Sequence, residues 1–184
     1  MKHFSRSSLI STFAALAVAA GGLALAAPEA VIDSRVSGAL DRFYAANPHH
    51  RDLTQKAAAV LVFPRITKAG AGVGGEFGEG VLQEQGKTVG YYKVTGASVG
   101  ATLGAARRSE VILFMTEEAR DKFMQSHDWT IGADAGVAVM KHGAGGDYDS
   151  ETLKKPVLAF VFGEKGLIAD ASLEGAKISK LPPQ

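Results

Sequence analysis

From Gly96 to Ala105 the chain alternates strictly between two kinds of residue. Gly96, Ser98, Gly100, Thr102 and Gly104 fall on one side, and Ala97, Val99, Ala101, Leu103 and Ala105 on the other. A period of two is the mark of a half-buried strand, because successive side chains point to opposite faces. The rival is a helix with small residues every fourth position, a pattern that matters in lipid-embedded helices. The stretch is short for that, follows Tyr91-Tyr92-Lys93-Val94-Thr95 and ends at Arg107-Arg108, so we read it as strand. The same period returns from Thr130 to Met140, where Ile131, Ala133, Ala135, Val137 and Val139 alternate with Gly132, Asp134 and Gly136. The 22 glycines show no three-residue repeat, which excludes collagen.

Ahead of the strands the period is helical. Ile32, Val36, Ala39, Leu40 and Phe43 form one apolar stripe between Pro28 and Asn47. Asn47-Pro48 stops that helix, since the residue before proline avoids the α region. A shorter helix is expected over Arg51 to Ala59. Val60-Leu61-Val62-Phe63 reads as a buried strand ended by Pro64. Gln85-Gly86 separates Val81-Leu82 from Val89-Tyr92 as a hairpin turn. A second hairpin is expected at Phe162-Gly163-Glu164-Lys165-Gly166-Leu167, between apolar runs 157–162 and 167–171. One more helix should start after Thr116, with Thr116 as its cap, Glu117 and Glu118 in its first turn, and Ala119 and Phe123 facing the core. Gly143 to Ser150 reads as a loop. The count is seven or eight short strands.

The N-terminus reads as an address. Lys2 and Arg6 precede an apolar run, and Ala24-Leu25-Ala26 fits the small-x-small rule for cleavage of a secretory signal peptide. The rival is an uncleaved membrane anchor, since Leu9 to Ala27 is just long enough to span. Residues 1–26 are therefore expected to be removed and 27–184 to form one domain in an exported, periplasmic protein. Cleavage takes away Lys2 and Arg6 and no acid, moving the formal charge from +1 to −1. That balance gives no reason to expect nucleic acid as a partner. With no cysteine, disulfides, thiolate metal sites and a cysteine nucleophile are excluded.

Several motifs imitate catalytic or binding sites. Gly70-Ala71-Gly72-Val73-Gly74-Gly75 matches a dinucleotide fingerprint, but the next residues, Glu76-Phe77-Gly78-Glu79-Gly80, are poor helix and no acid stands about 20 residues on. Gly86-Lys87-Thr88 resembles the end of a phosphate loop, yet Val81 occupies the place of its first glycine. Gly96-Ala97-Ser98-Val99-Gly100 matches a nucleophile elbow, with Asp134 and His142 downstream in hydrolase order. Ser98 sits in mid-alternation, whereas an elbow needs a strand ending there and a helix beginning, so an esterase built on Ser98 ranks third among functions. His49-His50 and Asp147, Asp149 and Glu151 read as solvated loop residues; we expect no metal and no cofactor. Trp129 reads as a core or interface anchor.

With the strands placed, the chain resembles the SYLF domain family from about Asp52 to Ile178. The carriers are Val60-Leu61-Val62-Phe63-Pro64, Lys68-Ala69-Gly70, Gly72-Val73-Gly74-Gly75, Gly78-Glu79-Gly80, Gly90-Tyr91-Tyr92 and Ser98-Val99-Gly100. Trp129, Gly143-Ala144-Gly145-Gly146, Lys155-Pro156, Phe162-Gly163-Glu164-Lys165-Gly166-Leu167 and Leu173-Glu174-Gly175 complete the series. The resemblance implies a binding module and not an enzyme. Its eukaryotic members bind phosphoinositide membranes, aided by an amphipathic N-terminal segment, and some bind actin. This chain differs in being exported, so it meets no actin, and in having a first helix that is not basic.

The expected fold is α+β: N-terminal helices, then a mainly antiparallel, glycine-rich sheet, curved or barrel-like, with one inserted helix. The expected function is a non-catalytic lipid-binding module on a phospholipid or membrane surface. Lys68, Arg107, Arg108, Lys141, Lys154 and Lys155 are the candidates for anionic head-group contacts. The alternative is an envelope protein-interaction scaffold, anchored by Trp129 or Tyr91-Tyr92.

Overall fold

The computed structural model describes residues 27–131, 136–141, 150–166 and 176–182. The signal-peptide region, Asp134, His142 and the glycine loop 143–146 lie outside the described residues. Two helices come first: α1, Glu29–Ala46, and α2, His49–Lys56. Ile32, Val36, Ala39 and Phe43 of the stripe are buried, as their spacing requires. The second helix starts two residues earlier than expected, at His49, and ends at Lys56.

Two very long strands come next, β1, Ala59–Glu84, and β2, Lys87–Phe114, paired antiparallel along nearly their whole length. Gln85 (φ 49°) and Gly86 (φ 77°) make the two-residue turn between them. That positive-φ pair is the geometry of a type I′ hairpin. Then come α3, Glu117–Gln125, β3, Trp129–Thr130, β4, Val137–Lys141, α4, Ser150–Leu153, β5, Val157–Gly166, and β6, Lys177–Lys180. The strand order is β3-β6-β2-β5-β4, with β1 pairing β2 off that path. Only the β4–β5 pair, among those described, is parallel. The fold class is the expected one: helices first, then a mostly antiparallel, curled half-barrel sheet with an inserted helix.

Pro64 does not end the strand. The pairing jumps from Phe63↔Glu110 to Ile66↔Arg108, so Pro64 and Arg65 together face the single Ser109. This is a β-bulge; Pro64 lacks an N–H to donate, and the Ser109 hydroxyl donates to its carbonyl at 2.9 Å. The extra residue inverts the inward and outward positions of β1 beyond it. A second register shift lies between Ala71 and Val73, and β1 bends back across itself. A Cβ on Gly80 would strike the carbonyl oxygen of Val62 and the ring of Phe63; one on Gly78 would come within 2.8 Å of the Arg65 carbonyl. Glycine is required there because one half of the strand crosses the other at backbone contact.

The sheet buries a core on each face. On its inner side lie Leu61, Phe63, Ile66, Tyr92, Ile112, Phe114, Phe123, Trp129 and Ile178. Phe123 of α3 stands 4.7 Å from Phe114 and 5.5 Å from Trp129, ring centre to ring centre. The Thr116 hydroxyl accepts from the Ala119 N–H at 3.2 Å, the expected cap. On its outer side, Val60, Val62, Val81, Leu113 and Phe160 receive the stripe of α1. His50 belongs to this core and not to a solvated loop: it is buried, stacked on Phe43 at 3.9 Å, and its Nδ1–H donates to the Phe43 carbonyl at 2.6 Å.

Two strand expectations need correction. The alternation from Thr130 to Met140 is not one strand: Ile131 and Gly136 are turn residues, and Gly136 has φ +96°. Gly163 does not open a hairpin. It has φ +66° inside β5, at the register shift opposite Arg107 and Ser109, and the strand continues to Gly166.

Candidate functional site

The sheet's parity sorts the six candidate cations. Arg108 lies on the inward face of β2 with Glu110, Ile112 and Phe114, and is only 6% exposed. Lys68 is 7% exposed, on the inward face of β1 beyond the bulge. These two are interior residues and not head-group contacts, because the bulge and the curl turn their positions into the half-barrel. Arg107, one residue earlier, is exposed on the outer face. Lys154 and Lys155 are exposed beside α4, with Lys154 Nζ 2.7 Å from Glu151. The Lys141 side chain lies outside the described residues. Lys155 and the β5 residue opposite Arg107, Lys165, stand at opposite ends of that strand, about 30 Å apart at 3.3 Å per residue. The six candidates do not form one patch.

A different outer-face group assembles instead. Arg107 pairs with Thr67 on one side and Lys165 on the other. Residues directly opposite in a sheet point the same way, so these three side chains share the outer face; Arg107 and Lys165 are exposed. A pocket of about 110 Å³ adjoins Thr67, and Arg35 of α1, Arg65, Phe77 and Glu79 line it. Phe77 is 42% exposed, and Val73, two positions along the same outer alternation from Gly75, is 67% exposed. The outer face of the bent hairpin thus carries exposed Phe77 beside Arg35 and Arg65, with Arg107 and Lys165 on the strands that continue from Thr67, and exposed Val73 farther along β1. Arg35, Arg65, Lys165, Val73 and Phe77 escaped the sequence reading. Their signal was Pro64: a proline within a run of strand residues marks a bulge, and a bulge places Arg65 and Thr67 outward together.

The interior charges form their own group. Arg108 Nη1 donates to Glu76 Oε2 at 2.8 Å, both side chains under a tenth exposed. Gly96 is the register partner of Glu76, and a Cβ there would lie 2.8 Å from the Glu76 Cγ, so glycine leaves room for this carboxylate. Glu110 is fully buried, and burial pushes its carboxyl up to about 7, with the Arg108 charge opposing and the Glu76 charge adding to the rise. On the other side of the sheet the Tyr91 hydroxyl donates to Asp33 Oδ2 at 3.0 Å, tying β2 to α1. Desolvation and then that acceptor push its phenol up to about 12.

The decoy motifs resolve through the backbone. Gly70–Gly75 lies within β1, with no helix opening there, and Ser98 lies in the middle of β2, paired with Gly74, where no strand ends and no helix begins. Trp129 and Tyr92 are buried in the inner core, and the Tyr91 hydroxyl is engaged by Asp33, so none of the three stands out as a protein anchor. A wider groove, about 570 Å³, runs between α1, α2 and the β1–β2 turn. Its charged lining residue is Asp33, which does not suit an anion. No group of metal ligands occurs among the described residues, and no described helix is long and apolar enough to cross a membrane.

The described residues form a helix-braced half-barrel whose outer face carries exposed basic and apolar side chains. Residues 95–181 match the family Ysc84, described as Las17-binding protein actin regulator: the chain carries a SYLF domain. The match begins within β2 and runs through β6, so it contains Arg107 and Lys165 and leaves out β1. No curated protein matches the chain.

Proposed function

We propose that the chain is an exported, non-catalytic lipid-binding module that docks on anionic membrane surfaces through the outer face of its bent hairpin. The observation that carries the reading is the exposure of Phe77 in one pocket with Arg35 and Arg65, with Arg107 and Lys165 on the strands that pair beside Thr67. Apolar side chains ringed by cations suit the boundary between head groups and acyl chains. Each cation near a charged surface contributes about 1 kcal/mol, and burying the exposed part of Phe77 contributes about 1–2 kcal/mol. Four cations together outweigh the apolar contribution, so salt should weaken binding steeply without abolishing it. Export rests on the signal-like N-terminus, and it favours bacterial phospholipids over phosphoinositides as the surface met.

Co-sedimentation with phosphatidylglycerol vesicles tests the reading. The protein should pellet at low salt and less at high salt, and Phe77→Ser should lower the salt-resistant part. A protein that stays in the supernatant at low salt would instead support the scaffold reading. That alternative draws on the family description, which names a protein-binding activity, but it would need anchors other than Trp129 and Tyr92.

A further inference from the structure

Glu110 is fully buried on the inner face of β2, and neither of its carboxyl oxygens has a hydrogen-bond partner among the described residues. Arg108 stands two residues back on the same face, about 7 Å away along the strand. Its Nη1 is engaged by Glu76, while its Nε and Nη2 also have no partner there. An ionised carboxyl buried without a partner is far costlier than a neutral one, so the arrangement suits Glu110 as the protonated acid. The elements around it supply one adjacent cation for two acids. From β1 it is faced by Phe63, its register partner, and by the Glu76 charge; from β5 by apolar Val161. Lys68 of β1 lies level with Ala106, on the far side of Arg108, and α3 meets β2 farther along through Phe123 on Phe114.

We propose that Glu110, Arg108 and Glu76 form a proton-controlled latch on the strand crossing. With Glu110 protonated, Arg108 belongs to Glu76 and holds the returning half of β1 inward. With Glu110 ionised, two carboxylates contest one guanidinium, and the half of β1 that carries Glu76 is released. Glu76 and Phe77 are adjacent in that strand, one inward and one outward, so they move together. The latch therefore governs how Phe77 is presented beside Arg35 and Arg65, and this consequence rests on the docking reading above. The sign follows from burial, which raises the Glu110 carboxyl from 4.5 to about 7. The latch is engaged below 4.5, loosens about tenfold per pH unit as pH rises toward 7, and changes no further above it.

Amide hydrogen exchange at pH 5, 6 and 7.5 tests the latch without any membrane. Glu110→Gln imitates the protonated acid and cancels the intrinsic pH dependence of exchange. Relative to that variant, exchange within residues 73–80 of the native protein should rise about tenfold from pH 5 to pH 6, while residues 111–114 keep a constant ratio. Glu76→Gln should exchange fast in 73–80 at every pH. A native-to-variant ratio in 73–80 that ignores pH overturns the latch. So does an equal rise in 111–114, which would make Glu110 a burden on the whole fold instead of a local control. Co-sedimentation with phosphatidylglycerol vesicles at fixed salt reads the consequence: the native protein should bind better at pH 5 than at pH 7.5, and Glu110→Gln alike at both. A protein with the exchange response that pellets with vesicles at neither pH retains the latch and overturns the docking reading.

Discussion

Arg108 and Glu76 meet at 2.8 Å inside the half-barrel although Arg108 pairs with Ile66 and Glu76 with Gly96, far apart along the hairpin. Arg108 sits near the end of β2, and Glu76 sits on the returning half of β1. Their contact clamps the strand crossing made possible by Gly78 and Gly80. A buried pair repays desolvation poorly, yet breaking it leaves one charge stranded. Arg108→Met should therefore cost about 3–5 kcal/mol, and the double variant Arg108→Met with Glu76→Leu much less. Urea denaturation of the two proteins checks this; equal losses would show that the pair does not clamp the crossing.

The neighbouring Arg107 should behave in the opposite way. It is exposed, so Arg107→Glu should leave the melting temperature nearly unchanged and weaken adsorption to phosphatidylglycerol vesicles. Reversal of one charge changes the surface contribution by about 2 kcal/mol. Arg108→Glu should unfold the protein instead. Thermal melts and vesicle binding of both variants separate surface from interior, and equal effects at the two positions would contradict the strand parity.

Glu110 makes stability depend on pH in an unusual direction. Its folded value, about 7, exceeds the ordinary 4.5, so between these values the folded chain holds more protons than the unfolded one. Stability from this group falls as pH rises from about 4.5 to 7 and is level above, by up to about 3 kcal/mol. Glu110→Gln should flatten that fall, so its advantage over the native protein should grow from pH 5 to pH 8. Urea midpoints at the two pH values measure it; an advantage independent of pH would mean that Glu110 is ionised throughout.

Gly80 has no room for a side chain against Val62 and Phe63. Gly80→Ala should destabilise by about 1–3 kcal/mol, as overpacking does, whereas a Cβ at Gly75 meets nothing closer than 3.6 Å and Gly75→Ala should cost far less. Calorimetry of the pair checks the crossing, and similar melts would show that β1 does not close on itself there.

The sequence by itself determined the local elements. The stripe Ile32, Val36, Ala39 and Phe43, the Thr116 cap and the Gln85-Gly86 turn each depend on residues a few positions apart, and short-range sterics and hydrogen bonds decide them. The SYLF resemblance was legible too, in the order of its glycine motifs. What only the tertiary structure decided is which face each strand residue serves. A bulge of one residue at Pro64-Arg65 inverts every later position of β1, and adjacent Arg107 and Arg108 take opposite fates because they stand one residue apart in a strand. The same bulge sends Lys68 inward and Arg65 outward. The bend that brings Glu76 to Arg108 depends on backbone contacts between residues about 15 apart, and spacing along the chain carries no trace of them. The basic face was therefore hidden in the sequence: its members, from Arg35 to Lys165, become neighbours only when α1, β1, β2 and β5 are laid side by side.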